Sequence, residues 1–139
     1  MSSKTARQLV LATATCLVAS PGAFGDISVR FETPTIHVDR GSTFTVNIVA
    51  DISEPVVGWG LDLTIDSPEI VSLVGSPVIG PQWYGAFAPD GDGLAGMAWP
   101  TSVSGDNVLL ASLTFSANDF GTTRLGLCAT FGDMSEGVP

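Results

Sequence analysis

The stretch Val57–Pro77, VGWGLDLTIDSPEIVSLVGSP, decides the fold. Trp59, Leu61, Leu63 and Ile65 share one parity, while Gly60, Asp62, Thr64 and Asp66 share the other. A period of two marks a strand with one buried and one wet face. Trp59, Leu61, Leu63 and Ile65 are therefore expected inside, and Asp62 and Thr64 outside. Ser67 to Ile70, around Pro68, is the one candidate helical turn and is expected at a solvent-side corner.

The same alternation recurs on both sides of this stretch. Phe44, Val46, Ile48, Ala50 and Ile52 alternate with Thr43, Thr45, Asn47, Val49 and Asp51. Further on, Leu109, Ala111, Leu113 and Phe115 form the apolar set of NVLLASLTFSA, and Leu125, Leu127, Ala129 and Phe131 that of TRLGLCATF. Turn residues separate the runs: DRGS at 39–42, SEP at 53–55, PDGDG at 89–93, SGDN at 104–107 and NDFG at 118–121. There is no internal repeat, no low-complexity linker and no helical period longer than a turn or two. Short alternating strands at this spacing predict an all-β, antiparallel β-sandwich.

The chain of 139 residues opens with a segment that reads as a secretory leader. Lys4 and Arg7 give it a charged start, Leu9–Ala19 an apolar run, and Ala23-Phe24-Gly25 a small-residue processing site. A membrane span needs about 20 apolar residues, and Pro21, Gly22 and Gly25 arrive too soon for one. Residues 1–25 are accordingly assigned to a signal peptide and 26–139 to one domain, secreted to the extracellular space or the cell surface, with no membrane insertion after signal removal.

Processing leaves Arg30, Arg40 and Arg124 against all 14 acids, a formal charge of −11. Such a chain repels phosphate backbones and anionic lipid, which excludes nucleic acid as a partner class. Cys16 leaves with the leader. Cys128 alone cannot make an internal disulfide and reads as a small buried residue.

Four stretches together resemble the cohesin modules of cellulosome scaffolds and the related bacterial carbohydrate-binding modules. They are ISVRFETPTIHVDRGSTFTVNIVADI, GWGLDLTIDSPEIVSLVGSP, NVLLASLTFSANDFGTTRLGL and FGDMSEG. The alternating strand ending in Asp66, its Pro corner and EIVSLVGSP are similar to the family's Tyr-Asp-Pro corner and the short strand after it. The resemblance implies a nine-stranded jelly roll, no catalytic activity, and protein or polysaccharide binding. It places a dockerin-like or other extracellular protein on the face of Gly60, Asp62 and Thr64, together with Leu94, Gly96 and Ala98. Gly60 stands where the family often has a carboxylate, and Ala88 where it has an aromatic before a Pro-Asp turn. The resemblance also implies a closing strand after FGDMSEG. No apolar alternation remains there, so the fold is expected to lack its last strand, with an unpaired edge at Ile27–Phe31 and an incompletely covered core beside it.

Aromatic residues support a second reading. Trp83, Tyr84, Phe87 and Trp99 cluster in a chain otherwise sparse in rings, and flat rings suit the apolar face of a sugar. Trp83, Tyr84 and Trp99 are thus candidate carbohydrate-binding residues, although a large ring is more often core, as expected for Trp59.

Enzymatic readings find little to stand on. His37, the single histidine, lies between Ile36 and Val38 facing away from the apolar parity, and Ser102, Ser104 and Ser135 have no histidine close in a motif. Asp90 and Asp92 supply part of a calcium-loop pattern, but the distal ligands are missing, so PDGDG is read as a tight turn. No catalytic residue, metal or cofactor is assigned. The sequence therefore predicts a secreted, non-catalytic binding module. Protein–protein interaction in a polysaccharide-related setting comes first, direct carbohydrate binding second, and a surface or matrix structural protein third.

Overall fold

The computed structural model describes residues 7–10, 13–15, 27–85, 94–98 and 100–128. Among them it shows strands and no helix: β1 (Arg7–Val10), β2 (Thr13–Thr15), β3 (Ile27–Phe31), β4 (Ile36–Asp39), β5 (Thr43–Val56), β6 (Gly58–Gly60), β7 (Asp62–Ile65), β8 (Val71–Leu73), β9 (Val78–Ile79), β10 (Tyr84–Gly85), β11 (Ala95–Met97), β12 (Val103–Ala117) and β13 (Leu125–Cys128).

Two long strands form the spine. β5 and β12 pair antiparallel from Thr43↔Ser116 to Val56↔Val103. On β5 the expected inward set holds, because Val46, Ile48, Ala50 and Ile52 are buried, with Phe44 packed at the rim of the core, but Val49, expected on the outward alternation, is buried as well at 3% exposure. β12 changes parity midway. Ala111, Leu113, Phe115 and Ala117 are buried on one alternation and Val108 and Leu110 on the other, because the register shifts between Leu109 and Ala111. A bulge adds one residue to one strand and so reverses which side chains face inward beyond it.

The expected turns at SEP and SGDN are corrected for the same reason. β5 runs through Ser53, Glu54 and Pro55 to Val56, and β12 runs through Ser104–Asn107. The two stretches form an irregular part of one ladder, with register shifts on either side of Gly105. By contrast, DRGS does turn: Ser42 N–H donates to Asp39 O at 3.1 Å, and Gly41 takes φ +88°.

β3 joins the outer edge of β5, and β8 and β9 lie in sequence along the far edge of β12. β6, β11 and β10 make a second antiparallel sheet, while β7 pairs antiparallel with β13. The opening stretch is thus two strands rather than one. It breaks at Leu61, whose N–H donates to Leu94 O at 3.0 Å before the chain moves from β11 to β13 as its neighbour. Leu61 is fully buried, while Leu63 and Ile65 pack partly buried against the core. The Ser67–Ile70 corner is a single turn: Ile70 N–H donates to Ser67 O, and Ser67 N–H is held by Thr123 Oγ1 at 2.9 Å.

All these sheets feed one hydrophobic cluster. Phe31, Ile48, Phe115, Trp59, Leu61, Leu94 and Leu127 meet in it. Among the described residues β3 ends its sheet, yet Val29 and Phe31 are each 3% exposed. The core beside that edge is therefore covered, contrary to expectation. β2 lies near β3 without joining its ladder and pairs parallel with β13, while β1 pairs with β4. Both β1 and β2 come from the stretch read as a leader.

Candidate functional site

β7 carries the residues on which the protein-binding reading rests. Thr64 is exposed and Asp62 half-buried, and the strand beside them presents Gly126 opposite Thr64. That neighbour is constrained, since a Cβ on Gly126 would fall onto Thr64 Oγ1. Gly60 is buried in β6, paired with Ala95, and is not available to a partner.

Leu94, Gly96 and Ala98 require a correction. Leu94 and Ala98 are buried core members, at 2% and 0% exposure. Gly96 lies opposite Trp59, where a Cβ would stand 2.7 Å from the Trp59 indole nitrogen and 3.0 Å from Trp83 Cβ. These three positions along and beside β11 therefore face inward; Ala95 between them is buried as well, and only Met97, at 48% exposure, is turned outward. Alternation in so short and glycine-rich a strand leaves the choice of face to its neighbours. Here the Trp59 ring fills the space over Gly96.

The aromatic group divides. Trp83 is 6% exposed, meets Trp59 edge-to-face at 6.3 Å, and donates its indole N–H to Leu109 O at 3.1 Å. It is a packing residue rather than a stacking platform. Tyr84 is 70% exposed. Trp99, Phe87, Ala88, Asp90, Asp92 and Ser135 lie outside the described residues, as does the side chain of Cys128. His37, Ser102 and Ser104 are exposed, and no group of three His, Cys, Asp or Glu residues is gathered for a metal among the described residues.

The outward face of the spine is polar and cross-linked. Ser112 Oγ donates to Asn47 Oδ1 at 2.7 Å, Asn47 Nδ2 to Glu32 Oε2 at 2.8 Å, and Asn118 Nδ2 to Ser72 Oγ at 2.8 Å. At one end Arg30, Asp51 and Asn107 close a ring across β3, β5 and β12. Arg30 Nη1 donates to Asp51 Oδ2 at 2.9 Å, Asn107 N–H to Asp51 Oδ1 at 2.9 Å, and Arg30 Nη2 to Asn107 Oδ1. Sequence reasoning missed this ring. The signal for it was present, since Arg30 and Asp51 each hold the polar parity of their strands, but the register that sets them beside Asn107 depends on the bulge.

The Asn107 N–H, with the hydrogen bond and charge of Arg30 behind it, holds the Asp51 carboxyl below its ordinary value of 3.8, against the opposing effect of desolvation. A depressed carboxyl stabilises the fold fully above its unfolded pKa, and that contribution is lost as pH falls through the folded value. Asp51→Asn is therefore expected to lower Tm near neutral pH and to leave a smaller deficit once the wild-type carboxyl is itself protonated. Thermal melts of both proteins across the acid range check this, and a deficit that is constant with pH would rule out the linkage.

No family model, no curated protein and no solved structure matches the chain. Among the described residues no helix is long and apolar enough to cross a membrane.

Proposed function

We propose that this protein is a secreted, non-catalytic binding module, a cohesin-like jelly-roll sandwich, and that it engages an extracellular protein partner in a polysaccharide-related setting. The observation that carries the choice between protein and sugar is the burial of Trp83. Stacking recognition works best with two rings on a common surface, and Trp83 is committed to Trp59 and Leu109 instead. What β7 offers is a short polar row, Asp62 and Thr64, on a sheet whose other face is packed; antiparallel sheets commonly present a wet face of this kind. The exposure of Tyr84 keeps direct carbohydrate binding as the second reading.

The test is a pull-down of extracellular proteins with the wild-type chain and with Asp62→Lys, run beside binding to insoluble polysaccharides. Capture of a partner that Asp62→Lys weakens by about tenfold or more supports the reading, since reversing a charge at an interface costs a few kcal/mol. A partner held equally by both proteins removes the β7 face from the interface. Polysaccharide binding without any protein partner would favour the second reading, and no binding of either kind would favour a structural role.

A further inference from the structure

The pairing of β12 with β5 changes register more than once, and the changes cancel. From Ala111↔Ile48 to Leu109↔Val49, β12 advances two residues while β5 advances one; from Val108↔Ala50 to Gly105↔Ile52 it advances three for two. From Gly105↔Ile52 to Val103↔Val56 the excess reverses, since β5 advances four residues and β12 two. The rung Val103↔Val56 therefore belongs to the same register as those from Ala111↔Ile48 to Ser116↔Thr43. A straight ladder without bulges joins them equally well, with the 14 residues of β5 opposite residues 103–116.

The two registers differ in which side chains turn inward, because residues directly opposite in an antiparallel pair share a face. In the bulged register Val108 stands opposite Ala50 and is buried, as is Leu110, while Asn107 is exposed. In the straight one Asn107 stands opposite the buried Ile52 and turns inward, and Val108 stands opposite Asp51 on the outward face. Burial of Val108 and solvation of Asn107 both favour the bulged form. Local conformation opposes it: Gly105 takes φ +129°, and Asn107, at φ +53°, is the one non-glycine residue with positive φ among those described. A left-handed asparagine persists where its surroundings hold it. Here the Arg30–Asp51–Asn107 ring fixes both its backbone N–H and its side-chain oxygen. The choice of register therefore turns on position 107, exposed and left-handed in one form, inward and extended in the other.

The bulge also closes the turn at residues 80–83. Successive carbonyls of a regular strand point to opposite edges. Yet Leu109 O accepts the Trp83 indole N–H at 3.1 Å and Leu110 O accepts Gly80 N–H at 2.8 Å, so both point to the edge that β9 occupies. Leu110 continues the ladder that pairs Ala111 with Ile79. In the straight register Leu110 keeps that place, while the Leu109 carbonyl turns toward β5 and releases Trp83. We propose that residues 105–110 are a register switch: the straight ladder is a minor state of the folded protein, populated on the order of 1%, and the Arg30–Asp51–Asn107 ring latches the bulged one. The ring and the Trp83 turn are thereby coupled, since both are closed only in the bulged register. The switch lies in β5 and β12 and does not depend on what β7 binds.

The test is NMR of the full chain and of two variants. In the wild type, relaxation dispersion should show microsecond-to-millisecond exchange confined to residues 105–110, their β5 partners and the Trp83 indole N–H. Asn107→Val removes the left-handed asparagine and the latch oxygen and supplies an inward apolar side chain, so it should make the straight register the major form. Cross-strand contacts should then join position 107 to Ile52 in place of Gly105 to Ile52. Hydrogen exchange of the Trp83 indole should quicken by about 100-fold, as a state of about 1% becomes dominant. Asn107→Gly keeps the positive φ and the N–H to Asp51, and should retain the bulged contacts and a slow indole. The proposal is overturned if the wild type shows no exchange in this segment, if folded Asn107→Val keeps Gly105 opposite Ile52, or if Asn107→Gly speeds the indole as much as valine does. Should Asn107→Val fail to fold, the wild-type dispersion decides alone.

Discussion

Phe115→Ala is expected to lower the unfolding free energy by about 3–5 kcal/mol, the range found when a buried phenylalanine is truncated. Phe115 is fully buried near the C-terminal end of β12 and stacks on Phe44 with ring centroids 5.6 Å apart. Removing the ring takes its apolar area out of the core and leaves a cavity that the β5–β12 ladder is too regular to collapse into at this point. Since a domain of this size holds roughly 5–15 kcal/mol in all, the variant should be close to unfolded at modest urea concentrations. Equilibrium urea unfolding reads the effect as a lower midpoint at unchanged slope. A loss below about 1 kcal/mol would mean that Phe115 does not occupy the core. Phe44→Ala should cost less, because Phe44 sits only partly buried at its edge.

The second large effect is expected at Gly80. A Cβ there would fall directly onto the carbonyl oxygen of Leu109, and backbone cannot swing aside as a side chain can. Gly80→Val should therefore force the turn off β12, breaking the Gly80–Leu110 bond and drawing Trp83 away from Leu109. Overpacking costs about 1–3 kcal/mol when side chains absorb it and more when backbone must move. The expected loss is at or above the top of that range, with a red shift of Trp fluorescence in the folded state. Gly41→Ala is the contrast. Gly41 has positive φ but nothing within 4 Å of its Cβ direction, so only the conformational cost of about 1–2 kcal/mol applies. Equal losses at the two positions would show that the close approach at Gly80 does not constrain the chain.

How much of this could be read from the chain depends on what each residue answers to. Val46, Ile48, Ala50 and Ile52 follow a period of two because one face of β5 meets the core along its length, and alternation registers that directly. SEP and SGDN misled because Pro, Gly, Asp and Asn serve equally in turns and in bulges; only the partner strand decides which. Gly96 and its neighbours were assigned to the wrong face because the reason lies outside the segment. The Trp59 ring occupies the volume that a side chain on Gly96 would need. The burial of Trp83 and the Arg30–Asp51–Asn107 ring were out of reach for the same reason, since each rests on contacts between positions far apart in the chain. Thr64 was legible as the exposed side of β7, whereas Asp62, expected outside with it, is half-buried.

The β5–β12 spine also has a kinetic consequence. It joins Thr43 to Ser116 at one end and Val56 to Val103 at the other, so none of its rungs forms by local hairpin closure. The whole segment between the two strands must be looped before the first rung exists, and the entropy of that closure is lost before burial returns anything. Topologies dominated by such distant pairings fold in milliseconds to seconds rather than microseconds. Until the spine closes, β5 and β12 each expose a long apolar stripe, and this interval is when the chain is most open to association with its own kind.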